Sequence, residues 1–566
     1  MSKDEIKMKN LLKTYISVLL IFLFSSTNLL ATTSSNGHDF YRTITENEFK
    51  IIDFSFHNNE NITYNFYKEE SSGKTFTCLE NKTSVELRVP YNVDGYYSVY
   101  VGLLDDSGPF TLGLGSEQHN VNFNDFSFSN SLNNSMLREL FITNHEFKNE
   151  PITISIPNDS SAKIAYIKLV KLTTKDIELW NKKETNSFTV MYDNDGYTDF
   201  FQGENDTTPN FIENSLYQYQ RLNATINYCI GTSGLLLYNS RIAGAPFSNF
   251  DKYEHLVREG DITAKTHVTN MTNTGINPIE LIADSKGDTE VYASVRVNSF
   301  LPDDYRGFLN GSIYETLLPY KQPDDPKMDF VHEEYRDYLL SIVAELSYRF
   351  DIDGITLDFT RNPQLFAAEN GTTSTDRKNI TTQFIKDVKS ILGNSLKLNV
   401  RFPHNYMEYD LDIATWVRRG YVDSISPSDM TFESMFKIDK FLSLVEDTNV
   451  KLYVSITANL AGEDLTPETE KLLEELGIKY LGIKYLDADN YLKRAYDVFK
   501  AGADGVLLFN IAAQTGEDYS HPKKMDKLSS MEALEKWHHF DYTKTPAPKK
   551  IVPVTASPLD DNLVAY

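Results

Sequence analysis

Two rhythms of apolar and polar residues divide the chain. From residue 35 to about 175, apolar residues alternate with polar ones in short runs: "SVELRVPY" (84–91), "GYYSVYVGLL" (95–104), "FTLGLG" (110–115), "PITISIP" (151–157) and "AKIAYIKLVKL" (162–172). A period of two marks strands with one buried face, and the Asn, Ser and Gly between the runs mark turns. No helical period of any length interrupts this stretch. It predicts an antiparallel β-sandwich, serving as a spacer or as a carbohydrate-binding module.

From Ser187 the rhythm changes. Eight short apolar runs ending in polar residues follow: "SFTVMYDNDG" (187), "ATINYCIG" (224), "TEVYASVRVN" (289), "IDGITLDF" (352), "LKLNVRFPHN" (396), "VDSISPSD" (422), "KLYVSITAN" (451) and "DGVLLFN" (504). Helical patterns separate them. "HEEYRDYLLSIVAELSYRF" (332–350) puts Tyr335, Leu339, Ile342, Val343 and Leu346 on one stripe of a 3.6-residue period. "YLKRAYDVFKAG" repeats that period and stops at Gly502, while "TPETEKLLEELG" opens at Thr466-Pro467 and closes at Gly477. Strand and helix alternating eight times predict an α/β fold, a (β/α)8 TIM barrel preceded by the all-β sandwich.

The two ends complete the division. Lys3, Lys7, Lys9 and Lys13 precede the apolar run Tyr15–Phe24, and Ala31 offers a small residue for cleavage. This is the pattern of an export signal, too short for a comfortable membrane span and without a lipoprotein cysteine. The expected organisation is a signal peptide over 1–31, a sandwich over 35–175, a barrel over 180–545 and an extended proline-rich tail over 546–566. Localisation is expected to be secreted or periplasmic. Cys78 and Cys229 fall in different domains, so no disulfide framework is expected. A net charge of −25 and a pI near 4.9 argue against nucleic acid or an anionic membrane as partner, because both require a basic face.

In a barrel of this kind the chemistry lies where the strands end, and side chains alternate between the interior and the surrounding helices. On the fourth strand Ile355, Leu357 and Phe359 suit the helix side, so Gly354, Thr356, Asp358 and Thr360 point inward. Asp358 then stands at the mouth. The same count turns Arg296 and Asn298 inward on strand three and Asn399 and Arg401 inward on strand five, with His404 just beyond. Asn459 ends strand seven, Asn510 ends strand eight, and Arg361 follows Asp358. Three arginines around one mouth suit carboxylate or sulfate groups, which they grip with a bidentate fork; neutralising neighbouring acids is the simpler alternative.

Glycoside cleavage uses two carboxylates, one to protonate the leaving oxygen and one as nucleophile or base. The partner expected for Asp358 is Asp429 in "SISPSDM"; Glu408, Glu463, Asp193 and Asp195 are weaker rivals. The histidines show no metal-ligand spacing, and "DNDG" (193–196) reads as a turn rather than a calcium loop. No cofactor or metal is expected.

"DIDGITLDFTRNP", with "VYASVRVNSF" and "HEEYRDYLLSIVAEL", resembles the family-10-like glycoside hydrolases of bacterial polysaccharide-degrading systems. Those pair a β-sandwich with a (β/α)8 barrel and carry "R-x-N" and "DGI-x-LD-x-x-R-x-P" strands. The resemblance covers roughly residues 187–540 and places Arg296, Asn298, Asp358 and Arg361 at the motif positions. It implies a saccharide substrate; with the export signal, the expected function is a secreted glycoside hydrolase of a polysaccharide or its oligosaccharides, and the mouth arginines extend that expectation to an anionic, sulfated or uronic glycan. "DGITLDFT" is also similar to the chitinase-type fourth strand, but Thr356 and Thr360 replace that motif's inner aspartate and its catalytic glutamate. A strand-four aspartate working with a strand-six aspartate resembles the layout of α-galactosidase-like barrels, with Asp358 as nucleophile and Asp429 as acid/base. The missing glutamate also motivates the alternative of a non-catalytic glycan-binding scaffold.

Overall fold

The computed structural model describes residues 49–554 except for several intervening stretches, among them 123–135, 201–207, 430–434, 462–471 and 510–525. The export segment and the expected sequence beyond Val554 lie outside the described residues.

The N-terminal strands are β1 (Phe49–Ile52), β2 (Thr63–Glu69), β3 (Thr75–Asn81), β4 (Val85–Leu104), β5 (Phe110–Leu114), β6 (Glu117–Val121), β7 (Met136–Ile156) and β8 (Ala162–Lys171). All their pairings are antiparallel. The sequence runs at 84–91 and 95–104 prove to be one strand, as does "PITISIP" with the residues before it. Register shifts at Arg88/Asn92 and Val93/Asp94 absorb the turn-like "YNVDG", where Gly95 (φ 110°) faces the partner strand beside Asn149 (φ 56°). A bulge keeps a strand going while bending it, and alternation read from sequence cannot separate that from a turn. β4 pairs with both β7 and β8, so the sheet wraps one core of Leu87, Val99, Val101, Leu112, Ile154 and Ile167.

The barrel consists of β9 (Thr189–Asn194), β10 (Thr225–Cys229), β11 (Val291–Arg296), β12 (Gly354–Asp358), β13 (Lys397–Pro403), β14 (Ser424–Ser428), β15 (Lys451–Ile456) and a last strand, β18 (Gly505–Phe509). A short antiparallel pair, β16 (Asn459–Ala461) and β17 (Lys484–Tyr485), lies between β15 and β18. The eight barrel strands pair in parallel, and β18 returns to β9 to close the ring. These are the eight runs read from the sequence. The helix Glu333–Arg349 buries Tyr335, Leu339, Ile342, Val343 and Leu346, the expected stripe. Ile355, Leu357 and Phe359 join the core between strands and helices. Each fully buried Ile, Leu or Val side chain there stabilises the fold by roughly 1.5–3 kcal/mol.

The barrel interior changes character along its axis. Below the strand ends it is apolar, filled by Met191, Tyr292 and Leu507 with Tyr453, and Phe509 carries that apolar cluster up to the strand ends. Above lies a polar layer centred on Asn399, whose amide donates to Thr356 Oγ1 (3.2 Å) and accepts from Ser424 Oγ (2.8 Å) and Ser426 Oγ (3.1 Å). A satisfied amide ties three strands together without an unpaired buried group. The charged layer comes next, at the strand ends.

Residues 546–566, expected as an extended tail, contribute β19 (Lys549–Val554), which pairs with β2 and β7 of the N-terminal sheet. Among the described residues no helix is long and apolar enough to cross a membrane. Cys78 and Cys229 are both free and buried.

Candidate active site at the barrel mouth

Register fixes which side chains meet. Arg296 on β11, Asp358 on β12 and Arg401 on β13 are direct neighbours across the three strands. Asp193 on β9 is level with Asn227 on β10 and Phe509 on β18. Asp193, Asp358 and Arg401 are 2%, 4% and 1% exposed, so three charges share an enclosed space. Buried charges persist only when paired and hydrogen-bonded.

Arg401 supplies the pairing. Its Nη1 donates to Asp193 Oδ2 at 2.6 Å and to Asp358 Oδ2 at 3.3 Å, and its Nε donates to Ser428 Oγ at 3.2 Å. The guanidinium lies over the Phe509 ring, 4.4 Å from its centroid. Asn227 donates a short hydrogen bond to Asp193 Oδ1, and the Thr360 backbone N–H donates to Asp358 Oδ1 at 2.7 Å. Each carboxylate is thus held through both oxygens. Two oxygens bonded to one nitrogen at those distances cannot be more than about 6 Å apart, short of the ~6.5–9.5 Å spacing of inverting glycosidases. Burial pushes the Asp193 carboxyl up to about 7, Arg401 pulling against it and Asp358 adding to it.

Other expected site residues are distributed around this centre. Arg296 is buried and projects into the mouth, with its Nε unpaired. Arg361, three residues past Asp358, keeps an exposed face; the protein packed around the mouth, and after it Arg296, lower it to about 10. Asp429 pairs with His404 Nδ1 at 2.7 Å, and the His404 ring stacks on Phe436. Both are partly exposed, and Asp429 lies one residue beyond the end of β14, nearer the rim than Ser426, the neighbour of Arg401. Burial raises the Asp429 pKa, with His404 opposing. No described contact joins Asp429 to Asp358. Asn298 is committed elsewhere: its amide donates to Met328 O (2.8 Å) and accepts from Met328 N (3.0 Å), pinning the loop that follows β11.

Glu408 is exposed on the loop after β13 and held by Asn405. Asn459 lies in β16, with its side chain outside the described residues, as are Asn510 and Glu463 entirely. "DNDG" forms a turn in which Asn194 Oδ1 accepts from Gly196 N (2.7 Å) and Asp195 Oδ1 from Tyr197 N (3.0 Å). Gly196 has φ 70°, and a Cβ there would approach Cys229 O to 2.0 Å, so the turn packs directly on β10. Among the described residues no group of His, Cys, Asp and Glu has the arrangement of a metal site.

In the sequence Asp193 is a weaker rival of Asp429, and the three polar residues Asp193, Asn194 and Asp195 in a row obscure which face each takes. Met191, two positions earlier and inside the barrel, is the signal that turns Asp193 inward. Ser428 and Asn227, which orient the charged centre, carry no such signal. A cleft of about 760 Å³ opens at the opposite end of the barrel, lined by Tyr292, Lys397, Asp423 and Tyr453. Its Asp423 is engaged by Leu398 N and Lys389, so the poised charges lie at the mouth rather than there.

No protein-family model and no curated protein matches the sequence. Among solved structures, the catalytic domain 2 of the Ostrinia furnacalis Group II chitinase aligns at 14% identity and TM-score 0.34, covering 64% of this chain and 98% of that one. A GH36 α-galactosidase of Geobacillus stearothermophilus aligns at 11% and 0.35, covering 82% and 66%. A ruminal GH26 endo-β-1,4-mannanase aligns at 11% and 0.28, covering 82% and 92%. The similarity to glycoside hydrolase structures is distant and points to no single family.

Proposed function

We propose that the protein is an exported glycoside hydrolase acting on a polysaccharide or its oligosaccharides, with Asp358 as the attacking carboxylate. The observation that carries this reading is the buried Asp358–Arg401–Asp193 centre at the C-terminal mouth of a parallel barrel. Asp358 is surrounded by donors, so its oxygens remain acceptors, the form a nucleophile or base needs. Asp193, raised to about 7, exchanges its proton around neutral pH and is the matching acid. Their spacing favours retention of configuration.

A second reading takes Asp429 as the proton donor. Its raised pKa, its His404 partner and its partly open position at the rim favour it. The two readings separate experimentally. Asp358→Asn is expected to abolish release of reducing sugar from its polysaccharide, by about 10³-fold or more, while the melting temperature changes little. Unchanged turnover in that variant overturns the assignment. An acid/base variant keeps its rate on aryl glycosides whose leaving group needs no proton and loses it on natural linkages. Asp193→Asn and Asp429→Asn, compared on both substrates, therefore identify the donor. Uncleaved oligosaccharide bound at the mouth, with no polysaccharide hydrolysed, supports instead a non-catalytic glycan-binding protein.

A further inference from the structure

We infer that the barrel mouth holds an anion subsite, built by Arg296 and Arg361 with the free edge of Arg401, for a carboxylate or sulfate group carried by the sugar. This rests on the saccharide reading above and adds the charge of the substrate to it.

The first observation is an unfinished set of buried donors. Arg296 is 8% exposed, yet its Nε has no hydrogen-bond partner among the described residues. Arg401, 1% exposed, engages two carboxylates through Nη1 and leaves Nη2 buried and unpaired. Thr360 Oγ1, beside Asp358, is likewise buried without a partner. Unpaired buried donors of this kind are costly, and three around one space point to a ligand that completes them.

The second observation concerns which acids are already engaged. Asp193 and Asp358 share Arg401, and Asp195 accepts from the Tyr197 backbone. Arg361, exposed three residues past Asp358, extends the ring of donors to the rim, close enough for its charge to interact with those of Arg296, Asp358 and Arg401. The strand register places Arg296 and Arg401 on either side of Asp358, so an anionic substituent held between the guanidinium groups lies next to the attacking oxygen. Arginine suits the task because its planar fork matches both carboxylate and sulfate oxygens. The chain carries a net charge of −25, which repels anions at long range. Selectivity for them must therefore come from close, directional contacts such as these.

Binding of monosaccharides tests this without turnover, because they have no glycosidic bond to break. Calorimetric titration of the full chain with glucuronic acid, galacturonic acid and galactose 6-sulfate is compared with glucose and galactose. At least one anionic sugar is expected to bind tenfold or more tightly than its neutral parent, and whether it is the uronate or the sulfate identifies the group. Arg361→Gln and Arg296→Lys should each remove most of that preference and leave the neutral sugar within twofold. Arg361 is exposed, so its variant reports even if Arg296→Lys unfolds. Equal affinity for anionic and neutral sugars, or a preference that survives Arg361→Gln and a folded Arg296→Lys, overturns the subsite. Hydrolysis of neutral glycans alongside equal affinities discards the subsite and keeps the hydrolase; anion-selective binding without hydrolysis of any glycan does the reverse.

Discussion

At Arg401 one guanidinium nitrogen serves two carboxylates, and each consequence for the site follows from that sharing. Replacing Arg401 with methionine keeps the volume and strands two buried acids, a change expected to cost about 3–5 kcal/mol in chemical denaturation. A loss below ~1 kcal/mol would mean that the pair is solvated rather than buried. Asp193 gives the site a pH signature. Its folded pKa of about 7 lies above the ordinary 3.8, so the folded state holds a proton that the unfolded chain releases. That contribution is complete below pH 3.8 and is lost as pH rises to about 7. The melting temperature of the native protein should therefore fall more steeply across this window than that of Asp193→Asn; parallel slopes would refute the shift. Alternation along the strand made the inward face of Asp358 legible from sequence. The partner of Asp358 was not legible, because it depends on which distant strand closes the ring.

Strands and their starts show how much of the pattern is local. All eight barrel strands are legible, since each is a short apolar run with both faces buried against defined layers. The long β4 and β7 are not, because their bulges imitate turns. Asp353, which precedes β12, has a role that belongs to the element rather than the site. Its Oδ2 accepts from Val291 N at 2.8 Å and meets Lys286. Asp423 before β14 does the same for Leu398 N with Lys389, and Asp504 before β18 for Leu452 N with Lys451. Three alternate strands thus begin with an acid that closes the backbone of the preceding strand. Conversion of Asp353 to Ala leaves a backbone N–H unmet and is expected to cost about 1–3 kcal/mol by urea titration, with kcat unchanged. A fall in kcat at constant stability would place Asp353 in the chemistry instead.

Across the whole molecule the two domains meet through the C-terminal helical turn. Phe540 stacks on Phe141 and meets Trp180, its carbonyl accepts from Tyr100 Oη at 2.8 Å, and His539 bonds Asp176 at 2.6 Å. Behind Tyr100 a buried Lys168–Glu139 pair, with Tyr166 donating to Glu139 at 2.7 Å, fixes β8 against β7. Nothing in the local sequence announces this junction, because its partners come from opposite ends of the chain. Removing residues 545–566 opens the sheet between β2 and β7, which β19 bridges. Calorimetry of the shortened chain should show an early transition for the sheet domain and a barrel transition close to that of the full chain. A single unshifted transition would make β19 dispensable.

The bridging strand also sets an order of assembly. Pro553 is registered with Tyr67, a contact between residues about 490 positions apart, and contacts at such separation form late because their closure entropy is large. During synthesis the first domain emerges with β2 and β7 unbridged, and it waits for the entire barrel to be translated before its last strand arrives. For all that time the backbone edges that β19 will cover are open to any passing strand, a hazard that chaperone cover or delayed folding would remove until β19 is made.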